Sequence, residues 1–420
     1  MIHHMFLQIK FKYMLKVNSK ISYLAEQAIE KCQDFFVKIE QIYVQNSKKV
    51  LSSFLKHKIN ENHFVQTTGY GYSNFGKHAL NSVCADIFNS ESAFVSENFA
   101  SGTHALSISL LGISRPGFNI LSITGAPYDT LLDVIYKKNV GSLHDYNINF
   151  ESVNYVKLSQ EEFCNLFKNR RDIVFIQRSK GYDFSKECLS PELIGKLSQK
   201  IKQMSPETVV IVDNCYGEFT QPEEPTAHGA DLIIGSLIKN PGGGIAPSGG
   251  YIAGKKKLVE LCADRFIAPG LGFDIGNSHY NRELFMGFFY APRAVCEALK
   301  TAIFSACFFE LLGYNTDPSF SAPRFDIVQT IKFDDCAKLI NFCKKIQEFS
   351  PIGSNLHLEP WDMPGYSDKI IMASGGFISG SSIELSVDAP IRPPYVAYLQ
   401  GGTDFEISKL IIMNAASILL

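Results

Sequence analysis

Residues 21–58 place apolar side chains at Ile21, Leu24, Ala28, Phe35, Ile39 and Ile42, close to the 3.6-residue period of one helix face, with no Gly or Pro among them. The spacing predicts one long helix. At residue 67 the texture changes to TTGYGYSNFGKH, rich in Gly and aromatics, which reads as a loop. From there to about residue 255, short Val- and Ile-rich runs occur at 93–95, 120–123, 173–176, 209–212, 232–234 and 250–253. They do not alternate with polar residues, as expected of strands buried on both faces. Helical stretches at 104–112, 128–138 and 191–203 lie between several of them. That alternation predicts an α/β fold with a mostly parallel sheet. Beyond 290 the pattern becomes a helix at 291–313, a strand at 325–332, a helix at 334–348, and then Gly- and Pro-rich segments. The expected organisation is an N-terminal helical segment (1–60), a large α/β domain (61–290) and a small α+β domain (291–420).

Composition narrows the function. Forty Lys and Arg against 42 Asp and Glu leave a net charge of −2, which offers no overall basic field for nucleic acid or an anionic membrane. The most apolar stretch, 301–309, is far shorter than the roughly 20 residues that span a bilayer. The apolar N-terminus is broken by Lys10, Lys12 and Lys16, so no signal peptide is expected. Ten scattered cysteines form no C-x-x-C pair, which points to reduced thiols in a cytoplasm rather than to disulfides or zinc.

In open α/β sheets, ligands bind at the carboxyl ends of the strands. Four polar groups fall there. Ser101, Gly102, Thr103 and His104 precede an apolar helix, whose N-terminus would favour an anion such as phosphate. Gly125, Ala126, Pro127, Tyr128 and Asp129 follow the second run. The fourth run ends in Asp213 and Asn214, and the fifth leads into Ser236, Lys239 and three glycines. Singly these are caps, turn residues and a surface lysine. Together, and in this order, they match what pyridoxal phosphate requires. Lys239 would form the Schiff base, and Ser101, Gly102 and Thr103 would hold the phosphate. Asp213 would pair with the pyridine nitrogen, and Tyr128 would stack on the ring.

The segments SGTHA, VDNCYGEF and GSLIKNPGGG resemble the fold-type I pyridoxal-phosphate enzymes of the aspartate aminotransferase superfamily. The separations Asp213–Lys239 and Thr103–Tyr128 resemble those of its cystathionine and methionine lyase branch. With TGYGY, TGAPYDTL, NRELFMGFFYAP, EPWDMPGY and YLQGG, residues 60–405 are similar to the methionine gamma-lyase-like, or aluminium-resistance, family. The resemblance implies Lys239 as the lysine that binds cofactor and moves the Cα proton. It implies Tyr128 as the stacking residue that protonates a leaving thiolate, and Ser236 as a further phosphate ligand. It also implies a tyrosine reaching the phosphate from a partner subunit, here Tyr70 or Tyr72, and hence a homodimer or homotetramer with a shared site. Arg392, in APIRPPY, is the candidate for the substrate carboxylate, since a guanidinium grips one through two hydrogen bonds. Two departures stand out: Lys77 where the family has arginine, and Ser96 where it has a basic residue.

Gly71 to His78 nearly spells a P-loop, but His78 cannot supply the metal-binding hydroxyl. The histidines show no metal-ligand spacing, and Cys215 has no His partner, so packing roles and no metal are expected. The expected function is a pyridoxal-phosphate-dependent carbon–sulfur lyase acting by β- or γ-elimination on a small sulfur-containing amino acid such as methionine or cystathionine. The alternatives are an aminotransferase and a cofactor-binding protein without turnover.

Overall fold

The computed structural model describes residues 17–70, 74–184 and 186–419. Helix α1 (Ser19–Lys56) is capped by the Asn18 side chain, which accepts from the Lys20 N–H. Its buried face, Ile21, Ala25, Ala28, Cys32, Phe36 and Ile39, continues the apolar period. Helix α2 (Phe75–Ile87) begins inside the segment expected to be a loop. The large domain then alternates in order. It runs β1 (Ser92–Ser96), α3 (Gly102–Ile113), β2 (Asn119–Ser122), α4 (Asp129–Tyr136) and β3 (Asn149–Ser152). It continues with α5 (Gln160–Asn165), β4 (Ile173–Gln177), α6 (Pro191–Met204), β5 (Val209–Asp213), β6 (Leu232–Ser236), β7 (Gly250–Gly254) and α7 (Lys256–Phe266).

These strands form one seven-stranded sheet in the order β1-β7-β6-β5-β4-β2-β3. β7 runs antiparallel to both neighbours and every other pairing is parallel. The ends of β1, β2, β4, β5 and β6 therefore open on the same edge. Every residue of β4, β6 and β7 is buried, which explains their uninterrupted apolar sequences. One face of the sheet packs on α3, α4 and α7. The other face joins a larger core that includes α1 and α8 (Asn281–Leu311).

Helix α8 crosses residue 290 and leads into the smaller part of the chain. This comprises β8 (Asn315–Asp317), β9 (Val328–Lys332), α9 (Cys336–Phe349), β10 (Ile370–Ser374), β11 (Ser386–Pro390), β12 (Val396–Gln400) and α10 (Phe405–Ala416). Its sheet, in the order β10-β11-β12-β9-β8, is antiparallel throughout. The Gly- and Pro-rich segments thus contain three strands and a helix. Among the described residues, no helix is long and apolar enough to cross a membrane.

Candidate active site

A cavity of about 820 Å³ lies over the carboxyl ends of β2, β4, β5 and β6, and residues 390–398 of the small sheet close one side. It is lined by Lys239, Asp213, Tyr128, Ser101, Gly102, Thr103, Ser236 and Arg392. Eight residues singled out from sequence therefore share one space.

Each is placed by its element. Asp213 is the last residue of β5 and is almost wholly buried. One carboxylate oxygen accepts the Cys215 N–H at 3.1 Å. Burial raises its pKa, against the lowering effects of Lys239 and of hydrogen bonds from Cys215. Lys239 follows β6, with its Nζ 3.8 Å from the centroid of the Tyr216 ring. Burial disfavours its charge, while the acidic groups around it, Asp213 among them, favour it, and its pKa is raised. The next residue, Asn240, donates its amide to the Tyr216 and Glu218 carbonyls, both at 2.9 Å. That fixes the lysine loop to the loop after β5.

Tyr128 stands just before α4. Its N–H donates to Gln177 Oε1 at 3.0 Å and its hydroxyl to Thr103 Oγ1 at 3.1 Å. Burial raises the phenol pKa far above its usual value, so the hydroxyl keeps its proton. Ser101 caps α3 by accepting the His104 N–H. The first-turn N–H groups of Gly102 and Thr103 have no carbonyl one turn earlier to bond, so the helix presents donors and a positive dipole end to the cavity. A Cβ on Gly102 would sit 3.4 Å from Ser236 Cβ and 3.5 Å from Cys215 Sγ, which shows how closely that end is walled. Arg392 pairs with Asp368 at 2.8 Å and donates to the Tyr182 carbonyl at 3.0 Å.

Other expectations fall outside the cavity. Tyr70 is 92% exposed and does not line it. Tyr72 lies outside the described residues. Lys77 is buried, donates to the Ile275 carbonyl at 2.7 Å, and is lowered to about 8 by burial. Ser96 ends β1, where its hydroxyl accepts the Asn98 N–H. His104 accepts the Ala100 N–H and packs among Phe99 and Phe266. Cys215 is buried, as expected, but also lines the cavity beside Asp213.

Gln177 and Tyr216 are among the lining residues that were not singled out from sequence. Gln177 ends β4 just as Asp213 ends β5, so the strand-end rule applied once more would have found it. Tyr216 holds a left-handed backbone (φ 72°), a costly conformation for a tyrosine. Its place under Lys239 depends on the turn, and no sequence period signals that.

Comparison with known proteins gives the family and the fold. The family model described as methionine gamma-lyase matches residues 21–420. The uncharacterized protein YnbB of Bacillus subtilis (strain 168) is 44% identical over 389 residues, covering 91% of this chain and 92% of that one. The carbon–sulfur lyase involved in aluminum resistance from Clostridium novyi NT superposes with a TM-score of 0.91 at 44% identity, covering 96% of this chain and 97% of that one. The pyridoxal-5'-phosphate-dependent protein YhfS of Escherichia coli shares the fold (TM-score 0.62) at 13% identity, over 90% and 97% of the two chains. The chain belongs to the methionine gamma-lyase family, with the α/β architecture of pyridoxal-phosphate-dependent lyases.

Proposed function

We propose that this protein is a pyridoxal-phosphate-dependent carbon–sulfur lyase that eliminates a thiol from the β or γ carbon of a sulfur-containing amino acid. The observation that carries this reading is the convergence of Lys239, Asp213, Tyr128 and the N-terminus of α3 on one cavity. The donor set fits the cofactor. A buried carboxylate faces the cavity and suits a protonated ring nitrogen. A helix N-terminus with Thr103 and Ser236 beside it suits a phosphate. The Lys239 amine lines the same cavity.

When bound, pyridoxal phosphate supplies an aldehyde for covalent attachment and a protonated ring that takes up electrons from the Cα–H bond. Asp213 holds the proton on the ring nitrogen. The Lys239 amine takes the proton from Cα. The Tyr128 ring, which lines the cavity, would stack on the cofactor. As the C–S bond breaks, the Tyr128 hydroxyl, held protonated by burial, gives its proton to the departing sulfur. Water then hydrolyses the released imine to a 2-oxo acid and ammonia. Arg392 takes the substrate carboxylate in exchange for Asp368.

The same reading includes a homo-oligomer. The exposure of Tyr70 supports its use at a neighbouring subunit's site rather than at its own. Ten cysteines without a disulfide support a cytoplasmic setting.

The test is the visible spectrum of the purified protein before and after borohydride, followed by peptide mapping and an assay for ammonia and 2-oxo acid. A pyridoxyl adduct on Lys239, product release from a sulfur amino acid, and loss of both in Lys239→Ala are expected. Full turnover in Lys239→Ala would refute the assignment. Conversion of the cofactor to its amine form without ammonia release would make the protein an aminotransferase.

A further inference from the structure

Between α9 and β10 the chain loops out of the small domain, and the loop is pinned at its base. Trp361 and Ile370 exchange two backbone hydrogen bonds, each 3.1 Å, in an isolated antiparallel bridge. The tip is a turn in which the Tyr366 N–H donates to the Met363 carbonyl at 3.2 Å. Pro364 and Gly365 fill its central positions, and Gly365 has the positive φ, 85°, that a type II turn requires. Met363, Tyr366 and Asp368 are half-buried, whereas the residues between them are exposed. The tip crosses to the large domain. A Cβ on Gly365 would lie 3.0 Å from Thr130 Cγ2, so the turn rests on the first turn of α4. The Thr130 hydroxyl is in turn 3.0 Å from that of Thr103, the acceptor of the Tyr128 hydroxyl. Tyr366 lines the cavity, its ring centroid 5.9 Å from that of Tyr182. Asp368 sits on Arg392, with Oδ2 2.8 Å from Nη1. Among the described residues it is the carboxylate in salt-bridge contact with that arginine. The two side chains are 34% and 41% exposed, and an ion pair so open to water is weak.

We propose that residues 361–370 are a strap shut across the cavity, and that a ligand's carboxylate opens it by displacing Asp368 from Arg392. The inference rests on the reading of Arg392 as the group that takes the substrate carboxylate. Asp368 then occupies the arginine as an internal competitor. A ligand carboxylate wins the exchange because it can take two parallel hydrogen bonds from the guanidinium, where Asp368 is held by one. The strap is held to the large domain by its tip on Thr130, and to Arg392 by Asp368 three residues on. Loss of the second contact leaves the tip resting on a methyl group alone. The bridge at Trp361 and Ile370 keeps the base in place, so the strap swings as a unit. Shut, it lowers the apparent affinity of every ligand by the fraction of molecules that stand open. It thereby selects, at entry, ligands whose carboxylate reaches Arg392.

The test uses the full-length holoenzyme, calorimetry, and the desamino analogue of methionine, whose carboxylate is intact and which has no amine to join the cofactor. Asp368→Ala removes the competitor and should tighten binding of this carboxylate by about threefold, the scale of an exposed ion pair. Binding of its primary amide, which cannot compete for Arg392 as an anion, should stay weak in both proteins. A second variant locks the strap. A Cβ at Gly365 would lie 3.5 Å from Thr130 Cβ, a separation that suits a disulfide between Gly365→Cys and Thr130→Cys. Formed with oxidised glutathione, that disulfide should weaken carboxylate binding by about tenfold or more, and dithiothreitol should restore it. Equal binding by the locked and reduced forms, or an Asp368→Ala protein that binds no tighter, would overturn the strap. A reversible loss of binding in a protein that cleaves no sulfur amino acid would leave the strap standing and remove the lyase reading. Undiminished cleavage of a sulfur amino acid by the locked form would do the reverse.

Discussion

Replacing Arg178 with methionine tests whether the loop behind the site is held by a buried ion pair. Arg178 has no exposed surface, and its partner Glu224 is 1% exposed. The guanidinium donates to Glu224 Oε2 at 2.9 Å, Asn214 Oδ1 at 2.7 Å, Thr220 Oγ1 at 3.2 Å and the Leu189 carbonyl at 3.3 Å. Methionine fills much of the same volume, so the cavity contribution is small. The loss of one partner from a buried pair then dominates, at about 3–5 kcal/mol. The low end applies, because Glu224 keeps its bonds from the Phe219 N–H at 2.8 Å and the Asn214 amide at 3.1 Å. The expected loss is about 3 kcal/mol by urea unfolding, with an unchanged slope. Cofactor affinity should fall too, since Asn214 directly follows Asp213. Adding Glu224→Gln removes the orphaned charge and keeps one of those two bonds, which fall on different oxygens, so the double variant should recover part of the loss. A single variant that loses less than about 1 kcal/mol, or a double variant no more stable than the single, would refute the reasoning.

Three further outcomes follow from the same region. Gly217→Ala should cost about 1–3 kcal/mol in unfolding experiments, because its Cβ would fall 2.5 Å from Arg178 Cδ and Nε, and Arg178 is pinned; an unchanged midpoint would show that the arginine yields. Tyr128→Phe keeps the ring and loses the proton, so kcat should drop by about a hundredfold or more while KM changes by less than about threefold. Unchanged turnover would mean that the sulfur takes its proton elsewhere. Burial lifts Glu218 to about 8 in the fold, while its unfolded value is near 4.3. Between those values the unfolded chain has released a proton that the fold retains, so stability falls as pH rises by up to about 1.4 kcal/mol per unit, and levels off above 8. The stability advantage of Glu218→Gln should therefore grow from pH 5 to pH 8, and a constant difference between the two proteins across that window would contradict the assignment.

The runs that became β4 and β6 were legible because both faces are buried, so their sequences need no polar alternation. What such a run cannot encode is direction, and β7 is antiparallel although it reads like its neighbours. Helix α2 was hidden by Gly76, which there serves close packing and not a turn. A Cβ would meet the His63 carbonyl at 2.3 Å and the Asn281 amide at 2.4 Å. β3 is an edge strand with no fully buried residue, so it carries no apolar signal. β11 was obscured by polar residues that are nonetheless buried. Asp388 is one, satisfied by Tyr182 at 2.8 Å and Gln400 at 2.8 Å. Asp213 was legible because it ends a strand, and Lys239 and Arg392, which lie in connecting segments, because of the sequence motifs around them.

That division has a functional consequence. On the proposed reading, the cofactor end is built from groups locked to the large sheet. Asp213 belongs to β5 itself, and Asn240 ties Lys239 to the carbonyls of the next loop. On the proposed reading, the substrate carboxylate is met by a connecting segment, with Arg392 between β11 and β12. Arg392 is bonded to the Tyr182 carbonyl, so the two connecting segments that face the substrate brace each other across the domains. Substitutions in the first set should change cofactor retention and turnover of all substrates together. Substitutions in the second should leave the bound cofactor's spectrum in place and change which amino acid is cleaved. One scaffold can thus keep its chemistry fixed while its loops vary the leaving group it accepts.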